Sequence, residues 1–124
     1  MNDSHTRDTL ARSLDILQHV RQRPEMYVRQ VTPEGVEAWL CGFRGGLAAA
    51  GVRSSRYDLS AAFERRGIPY TTTVDLIEAL ASQGHSPHDV AMILIDMDVE
   101  MWRWCLADVS GDVDAHEPRI PDKL

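Results

Sequence analysis

Residues 90–109, VAMILIDMDVEMWRWCLADV, read two ways. Ile95, Met97, Val99 and Met101 alternate with Asp96, Asp98 and Glu100, the period of a half-buried strand. The same apolar residues surround a helical wheel on all sides, as in a helix enclosed by others. One long or broken helix is the favoured reading, because no other segment offers a strand to pair with. A strand over 95–106 stays open as the alternative. Trp102 and Trp104 sharpen the problem: two positions on a helix are about 200° apart, so one Trp is expected at the surface unless the helix is buried on both sides.

Upstream, helix-start chemistry recurs. Ser86 caps, Pro87 sits where its missing N–H costs nothing, and Asp89 favours the first turn. Thr32, Pro33 and Glu34 repeat the logic and open a helix from Pro33 to Ala50 that ends at Gly51 and buries Val36, Leu40, Phe43 and Leu47. Gly42, Gly45 and Gly46 inside it, each costing about 1 kcal/mol relative to Ala, predict a close helix approach or a kink. Leu10, Leu14, Leu17 and Val20 give a first helix over Arg7–Arg21, ended by Pro24. A short helix is expected over Asp58–Arg66, ended by Gly67, Ile68 and Pro69, and another over Val74–Ser82, closed by Gly84. The sum is an all-α, compact single-domain bundle of about five helices over 1–109, with an irregular acidic C-terminal tail over 110–124.

The 124 residues suffice for one core without metal or disulfide staples. Cys41 and Cys105 are too few for a disulfide framework or a Cys-based zinc site, and Cys41 is expected on the inner face of its helix. The run from Val90 to Ile95 is far short of the roughly 18 residues that span a bilayer, and 1–12 is polar. A cytoplasmic protein without membrane contact is the expectation. Of 13 bases and 19 acids, residues 89–124 hold nine acids and three bases, which accounts for the whole net charge of −6. That field disfavours nucleic acid as a partner and draws basic proteins.

No catalytic motif is present. There is no Gly-rich phosphate cradle, no Gly-x-Ser-x-Gly and no His-Glu-x-x-His, so no enzyme, cofactor or metal is expected. His85 and His88 straddle the cap at Ser86 and lack a third ligand nearby. The candidate partner-binding residues are Asp96, Asp98, Glu100, Trp102 and Arg103, with Trp104 beside them: acids that complement a basic surface, interleaved with residue types that anchor interfaces.

Three resemblances follow from particular residues. Residues 79–106 resemble a helix-turn-helix DNA reader, although Ile95 stands where such families place their turn glycine, and Asp96, Asp98 and Glu100 oppose phosphate with only Arg103 against them. That resemblance implies a DNA-binding regulator as the alternative function. Residues 20–28, VRQRPEMYV, resemble an element of the gyrase-family ATPase domain, but the magnesium-binding and adenine-binding groups of that family are absent. Arg23, Pro24, Met26 and Tyr27, followed by Val36, Leu40, Gly42 and Phe43, also resemble a loosely defined set of small helical bacterial proteins, some of which accompany toxins as immunity partners. This resemblance implies a non-catalytic immunity protein that occludes the basic active site of a cognate toxin. It assigns no role to the Arg-Pro-x-Met-Tyr element. A purely local reading has Pro24 break the helix, Met26 and Tyr27 plug the core beneath it, and Arg23 pair nearby. Partner identity and oligomeric state are not encoded in any motif.

Overall fold

A computed structural model describes residues 3–52, 58–68 and 72–109. The expected tail over 110–124 lies outside them. Among the described residues five α-helices follow in chain order: α1 (Asp3–Gln22), α2 (Pro33–Ala49), α3 (Leu59–Arg65), α4 (Thr73–Ser82) and α5 (Pro87–Val109), with a 3-10 turn (Pro24–Met26) after α1. Among the described residues there is no strand, so the fold is all-α and 90–109 is one unbroken helix.

The helix starts form where the chain's capping chemistry stands. Thr32 Oγ1 accepts from the Gly35 amide at 3.0 Å, and Ser86 Oγ from the Asp89 amide at 3.1 Å. Thr72 Oγ1 does the same for Asp75, and Asp58 Oδ1 for Ala61. Each bond satisfies an amide that the first helical turn leaves without a partner. Gly84 turns the chain between α4 and α5 at φ 96°, a conformation that side chains with a Cβ resist. Gly35 is needed for space: a Cβ there would stand 2.3 Å from the Gln30 carbonyl oxygen.

The architecture centres on α5. Each of the other four helices makes its main packing contact with it, α1 and α2 most extensively. Val90, Ala91, Leu94, Ile95, Met97, Val99, Met101, Trp102, Trp104 and Cys105 are all buried, and they meet Leu10, Leu14, Leu17, Val20, Val36, Leu40, Phe63, Leu76 and Leu80 from the surrounding helices. This enclosure resolves both sequence ambiguities. A helix covered on its other sides keeps only a narrow polar stripe, here Asp96, Glu100 and Arg103, too narrow for a 3.6-residue period to stand out against the apolar residues around it. For the same reason neither Trp is at the surface, contrary to the expectation for one of them: Trp102 and Trp104 point to opposite sides and each finds a neighbouring helix.

Two expectations about α2 fail. Among the described residues, and apart from α2's own nearby backbone, nothing lies within 4 Å of a Cβ added at Gly42, Gly45 or Gly46, so these glycines mark no close helix approach there. Cys41 is exposed rather than inward, because α2 turns Val36, Leu40 and Leu47 toward α5 and leaves the opposite face to solvent.

Candidate functional site

Three features outside simple core packing bear on function: a buried ionic cluster, an exposed aromatic patch and an arginine-lined cleft.

The ionic cluster joins α2 to α5. Asp98 is fully buried; its Oδ2 accepts from Trp102 Nε1 at 3.2 Å, one helical turn on. Its Oδ1 lies 3.6 Å from a guanidinium nitrogen of Arg44, within Coulombic reach but too far for a hydrogen bond, and has no hydrogen-bond partner. Arg44 in turn donates to Glu37 Oε2 at 2.9 Å, and the Cys41 thiol donates to the same oxygen at 3.4 Å. Burial pushes the Asp98 carboxyl up to about 7; Arg44 and the Trp102 N–H pull against it, while Glu37 adds to the rise. Burial disfavours the Arg44 charge, but Asp98 and Glu37 together outweigh it and hold the guanidinium protonated more firmly than usual. Partial burial and the Glu37 carboxylate raise the Cys41 thiol, which makes it a poor nucleophile. Among the described residues no group of three or more His, Cys, Asp or Glu side chains is placed to hold a metal ion.

These positions correct part of the sequence reading. Asp98 and Trp102, expected at a partner interface, are interior residues that bond to each other. Asp96 is half-buried and paired with Arg21 of α1, Glu100 is half-buried, and only Arg103 is fully exposed. Residues 96–104 therefore form no continuous acidic face. The helix-turn-helix connectivity exists in α4, the Gly84 turn and α5, yet the helix that would read the groove is the enclosed core of the bundle.

The aromatic patch gathers around the Arg-Pro-x-Met-Tyr element. Pro24 is buried, and its carbonyl accepts from the Tyr27 and Val28 amides at 3.0 and 2.8 Å. That tight turn projects Met26 and Tyr27 outward, 67% and 43% exposed, instead of plugging the core as the local reading has it. Val28 enters the core in their place. The Tyr27 ring meets the edge of Trp39 at 6.4 Å between centroids, and Trp39 stacks on Phe43 at 5.2 Å and 17°. Arg23 reaches the Met26 sulfur at 3.9 Å. Trp39 carried no functional reading in the sequence; its signal is its place on α2, one turn before Phe43 and outside the Val36–Leu40–Leu47 stripe.

The cleft lies between α1, α3 and α5, with a volume of about 690 Å³. Its wall includes Arg21, Arg65, Arg66 and Arg103, against Asp96 and Glu100. The Arg65 guanidinium sits 5.6 Å above the Trp104 ring.

Among the described residues, no helix is long and apolar enough to cross a membrane. No protein family, no curated protein and no solved structure matches the chain.

Proposed function

We propose that this chain is a non-catalytic protein-binding module of the cytoplasm, and that it works as an immunity protein, neutralising a cognate bacterial toxin by covering its basic active site. The observation that carries the binding reading is the exposed cluster of Met26 and Tyr27 backed by Trp39 and Phe43. Large apolar side chains on a hydrogen-bonded turn, with Arg23 at their edge, are the residue types that anchor protein interfaces, and exposing them in water gains the free protein nothing. The net charge of −6 supports a basic partner by steering its approach. The aromatic patch replaces residues 96–104 as the anchor.

The test is affinity capture from the native cell at moderate salt, with the wild-type chain and a Met26→Asp/Tyr27→Ser variant as parallel baits. One basic protein retained stoichiometrically by the wild type and lost by the variant is the expected result, followed by relief of that protein's toxicity on co-expression. Equal retention by both baits, or nucleic acid with no protein partner, overturns the reading.

A further inference from the structure

We propose that the cleft between α1, α3 and α5 is a binding site for a small phosphate ester, a dianion of the sugar-phosphate class. The lining holds four of the chain's 12 arginines against two carboxylates, a local excess of two positive charges in a protein of net charge −6. Clustered like charges repel, and a cleft whose described lining keeps more cations than carboxylates is poised for an anion.

The four guanidinium groups divide into two kinds. Arg21 and Arg65 are held in place, the first by Asp96 and the second over the buried face of Trp104. Such fixed cations bind without the ordering cost that a free side chain incurs. Arg66 and Arg103 have no acidic partner within 4 Å among the described residues. They supply the two charges that a phosphate monoester dianion neutralises, and the planar guanidinium fork matches phosphate oxygens in pairs. Gln18, Gln22 and Glu100, on the same walls, offer amide donors and a carboxylate acceptor for hydroxyl groups. The volume of about 690 Å³ suits one small molecule. Trp104 is buried beneath Arg65 and leaves no ring face for a base to stack on, so the sugar phosphate is the better fit than a nucleotide recognised through its base.

Ribose 5-phosphate and inorganic pyrophosphate are the probes, with succinate and sulfate as controls, followed at low ionic strength by tryptophan fluorescence and thermal shift. Saturable binding of ribose 5-phosphate is expected, with a change in Trp104 emission as the bound anion offsets the Arg65 charge above the ring, and a preference over both controls. The Arg66→Gln/Arg103→Gln variant should lose at least about tenfold in affinity and keep its helical circular dichroism. Absence of saturation by either phosphate probe up to about 10 mM, an equal response to succinate, or an unchanged affinity in the variant overturns the proposal. So does a variant whose only defect is a lower unliganded Tm in a chain that never responds to phosphate, because Arg66 then serves only the C-terminal end of α3. Capture of a partner through Met26 and Tyr27 has a separate readout, so the failure of one proposal leaves the other standing.

Discussion

Asp98 is a carboxylate buried at the contact between α2 and α5. Its neighbours do not fully compensate its burial: one oxygen has the Trp102 N–H, the other has only a distant Arg44. The carboxyl is raised from its ordinary 3.8 to about 7, so the folded state holds a proton that the unfolded chain releases. Stability from this group is therefore fully present below pH 3.8 and declines as pH rises toward 7. Asp98→Asn keeps an acceptor for Trp102 and removes the titration. We expect its Tm to match or exceed that of the wild type above pH 7, with the wild-type-minus-variant difference falling between about pH 4 and 7; a difference that is flat with pH would refute the shift. Arg44→Met removes the opposing positive charge and should move the midpoint of that difference further upward, read by the same series of melts. Neither Asp98's burial nor Arg44's approach was legible in the sequence, where Asp98 stands in an alternating row of acids like any surface residue. Partner and solvent for a side chain are chosen by helices distant along the chain.

At the level of the helices, local chemistry and long-range packing separate cleanly. The caps at Thr32 and Ser86 were legible because each bond spans three residues. Ser86→Ala should cost about 1 kcal/mol, measured by denaturant midpoint at constant m-value. The glycines of α2 give opposed predictions. Gly45→Ala meets nothing within 4 Å and should stabilise the helix by up to about 1 kcal/mol. Gly35→Ala drives a Cβ into the Gln30 carbonyl oxygen and should destabilise by more than Gly45→Ala gains, with the Thr32 cap disturbed in amide exchange. Equal effects from the two substitutions would mean that propensity, not the turn before α2, sets the cost. The sequence marks all three interior glycines as costly but says nothing of what surrounds them, which is why a predicted close helix approach turned out to be open space.

For the whole molecule, the dependence of every helix on α5 predicts cooperativity. No pair among α1 to α4 replaces the surface that α5 buries against each of them, so the chain should unfold in one transition, with far-ultraviolet and near-ultraviolet circular dichroism superimposing. Early loss of the aromatic signal would show that part of the bundle stands without α5. The exposed patch should be thermodynamically separate from this core. Met26→Asp/Tyr27→Ser should leave Tm nearly unchanged, since surface substitutions lie within about ±0.5 kcal/mol, while abolishing partner retention.

By itself the sequence determined the approximate number of the helices and the kind of every one but the last, their capped starts and their glycine-marked ends, and the stripes of α1 and α2 that face inward. These properties arise from bonds and periodicities within a few residues, and Thr32, Ser86 and Gly84 carry them without help from the rest of the chain. Only the tertiary structure decided that α5 is enclosed, that Asp98 and Trp102 are interior, that Met26 and Tyr27 are exposed, and that Arg21 and Asp96, 75 residues apart, meet at a cleft lined by arginines. The physical reason is that burial and ion pairing are properties of surfaces brought together in space. A residue in α5 becomes core or interface according to which helices cover it, and nothing within one turn of it records that choice.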